Sequence, residues 1–166
     1  GIHATSSGRR VPEVFDGEID QGQYDGTSDV LAGGSAGLLV LAKAYSHVGG
    51  FDRALSPYNE GLELCWRLHR SGYRVVAAPD AHLTHLQLSS PRKLRTASAL
   101  RIRRSSEFYF ATLISSPVSL IAKALASLVW IPLTCLSLLL CGRASSAYAR
   151  FFAWLGLFAH FPHILA

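Results

Sequence analysis

Two carboxylates one helical turn apart, Glu60 and Glu63, stand in the run Tyr58-Asn59-Glu60-Gly61-Leu62-Glu63-Leu64-Cys65-Trp66-Arg67-Leu68. A hydroxyl is a poor nucleophile at neutral pH, so a reaction that uses one needs a carboxylate within hydrogen-bond reach to take its proton. The periodicity predicts a helix over 59–70. Glu60 falls in its first turn, where unpaired backbone N–H groups favour a negative charge. The plainer role for such a residue is to complement the helix dipole, worth about 0.3–1 kcal/mol.

Two other constellations have chemical content. Gly33-Gly34-Ser35-Ala36-Gly37 fits the Gly-x-Ser-x-Gly elbow of serine hydrolases, and Asp80 and His85 follow in the order acid, then histidine. That elbow needs a strand before the serine and a helix after it. Here a polar loop precedes and an apolar, strand-like run follows. Cys65, His69, His82 and His85 have ligand types suited to zinc, but Trp66 and Leu68 beside Cys65 mark it as a core thiol that behaves as a small hydrophobe.

The elements that must position these residues read as follows. Residues 1–28 are rich in Gly, Asp, Ser and Gln and predict an irregular surface segment. After the Gly33-Gly34-Ser35 turn, the apolar run 36–42 predicts a buried strand. A short helix over 43–48 is stopped by Gly49-Gly50, because glycine accepts the left-handed conformation that closes helices. In helix 59–70, Leu62, Cys65, Trp66 and Leu68 fall near one face and Glu60, Glu63 and Arg67 toward the other, with Gly72 as the stop. Residues 73–78 alternate as a strand ended by Pro79, and from Ser90 onward the pattern turns helical.

Taken in order, Asp20-Gln21-Gly22-Gln23-Tyr24-Asp25, the turn and run 33–39, Gly49-Gly50-Phe51-Asp52, the acidic helix with Arg67, then Gly72, Pro79 and His85 resemble the acceptor-side half of a family 2 glycosyltransferase, of rhamnosyltransferase type. The resemblance implies an α/β fold, the C-terminal part of a GT-A domain over residues 1–105, followed by an apolar helical tail over 106–166. It implies an inverting transfer from a nucleotide sugar to a saccharide or lipid-linked acceptor in envelope polysaccharide synthesis. Gly33, Gly34, Ser35, Asp52 and Arg67 would lie on the substrate side. A divalent cation, Mg or Mn, would accompany the donor, with His85 near the metal and diphosphate. The family's usual acid after Glu60 is here Gly61, so three readings stay open: Glu60 is the base, Glu63 substitutes, or activity is impaired. The family's donor-binding strands and Asp-x-Asp would lie upstream of Gly1. Gly1 and the lack of any Met read as a piece of a longer chain. The alternative reading is a non-catalytic, membrane-associated remnant or accessory protein.

Charge divides the 166 residues sharply. Residues 1–80 hold seven Lys/Arg against ten Asp/Glu, and residues 81–166 hold nine against one. The basic half is also the apolar half. Its basic run, Arg92 to Arg104, has no interleaved aromatics on which bases would stack, so a membrane surface and not nucleic acid is the expected partner. Between Lys123 and Arg143 lie 19 uncharged residues, close to the ~20 that cross a bilayer as a helix; a re-entrant hairpin fits the same stretch, and the plainer reading of 108–166 is a buried helical hairpin of a soluble domain. Arg101, Arg103 and Arg104 precede them by about twenty residues, a placement that suits either contact with anionic headgroups or the cytoplasmic side; the resemblance implies the cytoplasmic face of a bacterial inner membrane. The aromatic stretch 151–166 reads as an interfacial helix. Cys65, Cys135 and Cys141 have no paired spacing and suggest no disulfide framework.

Overall fold

The computed structural model describes residues 1–13, 17–19, 21–23, 25–26, 29–53, 55, 58–84 and 96–164. It divides into two compact units, one comprising residues 1–5 and 10–86, the other residues 6–9 and 87–166.

In the first unit, β1 (Ile2–Ala4) and β2 (Arg10–Pro12) pair antiparallel with Ile2 opposite Pro12 and His3 opposite Val11. Single bridges join Ile2 to Ala32 and Asp29 to Val76, and the Val30 N–H donates to the Val75 carbonyl at 3.0 Å. Asp29 and Arg74 clasp each other beside that bridge through two hydrogen bonds of 2.8 Å. Helix α1 (Ala42–His47) ends at Gly49 and Gly50, with φ of +79° and +74°. The Gly49-Gly50 stop is therefore where the sequence places it. Leu62, Leu64, Cys65 and Leu68 of helix α2 (Glu60–Arg70) are buried, as are Ile2, Val30, Ala32, Ala44, Leu55 and Val75, and together they make up the apolar core of this unit. Gly72, with φ of +83°, follows its end.

The α/β expectation is corrected here. The described residues are mostly helical, and their one sheet has two strands of three residues each. Residues 35–37 form a 3-10 turn, and the expected strand over 36–42 presents Leu39 and Leu41 to solvent at 99% and 75% exposure. The expected strand over 73–78 contributes a single bridge. A strand exists by pairing its N–H and C=O groups with a neighbour. Apolar and alternating sequence supplied the side chains for a sheet, but among the described pairings residues 36–42 enter none and residues 73–78 enter one, at Val76.

In the second unit, α3 (Ala97–Leu113), α4 (Pro117–Leu140) and α5 (Ala144–Ile164) form a helical assembly in which α5 packs on both α3 and α4. The expected division at residue 105 falls inside α3. Thr96 caps α3 by accepting from the Ala99 N–H at 3.2 Å. Ser116 caps α4 the same way from Ser119, with Pro117 at the first helical position, where its missing N–H costs nothing. Ala147, Ala149 and Ala153 of α5 are buried with Tyr109 and Phe110 of α3. Glu107, 5% exposed, is held by Arg103 and Arg104.

Helix α4 is long and apolar enough to cross a membrane, with mean hydropathy 1.8 in its most apolar stretch and only 6% of that stretch buried. Ser127, Thr134 and Ser137, which dilute its hydrophobicity in the sequence, return their hydroxyls to the carbonyls of Ala124, Ile131 and Thr134 at 2.7–2.9 Å. This satisfies them without water.

Candidate functional site

The N-terminus of α2 brings two of the sequence-predicted residues together. Ser35 Oγ donates to Glu60 Oε1 at 2.7 Å, across 25 residues of chain. Glu60 occupies the first helical position, after Asn59, which carries a left-handed φ of +66°. The turn at 33–37 is held by the Gly37 N–H donating to the Gly34 carbonyl at 2.9 Å. Ser35 stands in that 3-10 turn and not on a strand-to-helix elbow, and its hydroxyl is engaged by a carboxylate.

Gly61 explains how the turn and the helix come so close. A Cβ at this position would lie 2.9 Å from both the Gly33 carbonyl oxygen and the Ser35 nitrogen. Real Cβ atoms scarcely approach backbone that closely, so the position where an acid was expected is closed to any side chain unless the turn shifts. Glycine here is a packing requirement of the site.

Glu63 is the second surprise. The helical wheel groups it with Glu60 on the polar face, yet it is 2% exposed. Arg67 reaches it with Nε at 2.5 Å and Nη2 at 2.6 Å. The same guanidinium donates to the Val48 carbonyl and, at 2.7 Å, to the Gly50 carbonyl. Arg67 thus clamps α2 to the Gly49-Gly50 turn, and Glu63 neutralises the clamp. Tyr45 completes the turn: its ring packs against Gly50 and edge-on against Phe51, and its hydroxyl accepts from the Phe51 N–H at 3.2 Å. Asp52 lies just beyond, half-buried, its carbonyl accepting from Leu55 N–H at 3.1 Å.

Cys65 is fully buried, and burial pushes its thiol pKa up, with smaller opposing and reinforcing contributions from the Gly33 backbone and Glu63. His69 sits with Nε2 3.1 Å from the carbonyls of both Val30 and Leu31. Carbonyls only accept, so Nε2 carries the proton and is not turned toward Cys65. Trp66 is half-buried beneath Arg70, whose guanidinium lies 5.0 Å from the ring centre.

His82 is exposed after the turn closed by the Ala81 N–H on the Ala78 carbonyl. His85, the expected metal-side residue, lies outside the described residues, as do Asp20 and Tyr24 of the entry loop. Among the described residues no three His, Cys, Asp or Glu side chains converge in a way that fits a metal ion.

Sequence reasoning selected Ser35, Glu60, Glu63 and Arg67 individually but missed their pairing. One signal was present: a glycine among polar and charged positions in the first turn of a helix marks a close backbone approach.

No protein-family profile, no curated protein and no solved structure matches this chain.

Proposed function

We propose that this chain carries the acceptor-activating side of a membrane-associated sugar transferase, with Glu60 as the general base. The observation that supports this most is the contrast between the two carboxylates of α2. Glu63 is buried and committed to Arg67, whereas Glu60 sits half-exposed at the helix start, hydrogen-bonded to a hydroxyl at 2.7 Å. Ser35 Oγ occupies a position that an acceptor hydroxyl would take beside the same carboxylate.

In the proposed step the acceptor oxygen forms a bond to the anomeric carbon of a nucleotide sugar as the bond from that carbon to the diphosphate oxygen breaks. The electron pair leaves with the nucleoside diphosphate, the proton goes to Glu60, and the anomeric centre inverts. The acceptor is a saccharide or a lipid-linked saccharide. A divalent cation belongs to the donor diphosphate in this proposal, with His85 as the candidate ligand from this chain.

Helix α4 supports the membrane half of the reading. Seven Lys/Arg lie between residues 81 and 123, before the apolar stretch, and two lie after it. By the preference of basic flanks for the cytoplasmic side, the N-terminal end of α4 and the site at Glu60 are cytoplasmic.

The test is nucleoside diphosphate release by the complete polypeptide in membrane vesicles, surveyed over nucleotide sugars. Glu60→Gln is expected to lower turnover by about 10²–10⁴, the usual worth of a positioned base. Undiminished turnover would remove Glu60 from the role.

The closed packing around Gly61 favours one second reading: a non-catalytic membrane-associated module whose turn and helix have settled without the second acid. It predicts no sugar transfer with any donor by a folded, membrane-bound protein.

A further inference from the structure

The second unit holds a cavity of about 370 Å³, within the size range of small-molecule sites. Along α4 it is bordered by Leu120, Lys123, Ala124, Ser127, Trp130 and Ile131. This spacing of three and four keeps to one face of the helix. From Lys123 to Ile131 that face rises about 12 Å. Phe108 and Trp154 close the far walls. The Trp154 indole N–H donates to Ser127 Oγ at 2.9 Å, Ser127 gives its own proton to the Ala124 carbonyl and Thr112 gives its proton to the Tyr109 carbonyl, so these groups are spent within the protein and the lining is mostly apolar.

The two ends of this cavity differ in kind. Lys123 is the last charge before the uncharged stretch of α4, and its ammonium stands at the rim, donating to the Ser6 carbonyl at 2.9 Å and to Ser115 Oγ at 2.8 Å. An ammonium has three protons, so one is left for a ligand. Among the described ion pairs none involves Lys123. A cation at the boundary of a membrane-crossing segment, with an apolar recess running from it along the helix, has the layout of a bilayer amphiphile: an anionic head at the interface and a hydrocarbon chain at depth.

We infer that this cavity binds one anionic phospholipid of the surrounding bilayer, its phosphate on Lys123 and one acyl chain laid along α4 between Phe108 and Trp154. The inference rests on the membrane-crossing reading of α4 and not on the sugar-transfer reading. Basic pockets beside membrane helices recruit anionic head groups through the charge of the leaflet, and here the recess selects a chain as well as a charge. The bound lipid fills space between helices that the side chains leave open and fixes the depth of α4.

The experiment takes the complete polypeptide, floats it with vesicles, and measures by native mass spectrometry which lipid is retained when phosphatidylglycerol, phosphatidylcholine and a prenyl phosphate compete at equal concentration. One phosphatidylglycerol per chain is expected. Lys123→Gln is expected to lower its preference over phosphatidylcholine by about fivefold, the effect of one cation near an anionic surface. Ala124→Trp, which fills the recess, is expected to abolish retention with flotation and helicity unchanged. Flotation without lipid selectivity, selectivity untouched by both variants, or preference for the prenyl phosphate would each overturn the inference while leaving α4 in the membrane. Failure to float would overturn the membrane reading together with it. None of these outcomes depends on turnover, so the role of Glu60 is judged separately.

Discussion

Glu60 and Glu63 are identical side chains three positions apart, and their surroundings give them different work. Glu63 is enclosed with Arg67, which also carries the carbonyls of Val48 and Gly50. Removing one member of such a buried pair leaves the other uncompensated, at a cost of about 3–5 kcal/mol. Arg67→Ala is therefore expected to destabilise the first unit by that order in denaturant unfolding, whereas the double change Glu63→Gln/Arg67→Met recovers part of the loss. Gly61 carries a second residue-scale expectation. Gly61→Asp recreates the acidic pair on paper, but its Cβ meets backbone at 2.9 Å on two sides, so it should cost about 1–3 kcal/mol as an overpacked position and give no gain in activity. Equal or greater stability would show that the turn at Gly33 yields. Cys65 tests the depth of the core: burial raises its pKa, and the raised value means that stability contributed by the buried thiol is present below the unfolded-state pKa and is lost as pH rises through the folded one. In the native protein a maleimide should modify exposed Cys141 and leave Cys65 untouched until unfolding.

At the scale of elements, helices were legible and strands were not, for a physical reason. The limits of α2, the Gly49-Gly50 stop and the apolar stretch of α4 depend on residues within a turn or two of one another, so local sequence carries them. Strand formation depends on a partner distant in sequence. Residues 36–42 have the composition of a buried strand but present Leu39 and Leu41 to solvent, while residues 29–32 and 74–76, less apolar, find each other for one bridge. The candidate site divides the same way. Glu60 could be chosen from its place at a helix start, but its contact with Ser35 and the burial of Glu63 come from tertiary contacts that no helical wheel contains. For α4 the expectation concerns its middle. Leu128 is 55% exposed, and Leu128→Lys would place a charge at the centre of the span, where it costs about 2.5–3.5 kcal/mol. Loss of vesicle flotation on that change is expected, and full retention would mean that α4 does not cross.

The whole molecule separates acidic from basic and polar from apolar along its length. The acidic half contains the candidate base and the basic half contains the helix long and apolar enough to cross a membrane. This division suits a protein that acts on an acceptor at a membrane surface, and it leaves the catalytic claim resting on one carboxylate. The most direct measurement is the rate of nucleoside diphosphate release by the complete polypeptide in vesicles, compared with its Glu60→Gln and Ser35→Ala forms at equal folded amounts. The account predicts a loss of about 10²-fold or more for Glu60→Gln. For Ser35→Ala it predicts about 2–10-fold, the worth of one orienting hydrogen bond. Equal rates for the wild type and Glu60→Gln, or no transfer from any nucleotide sugar by the folded membrane-bound protein, would contradict it.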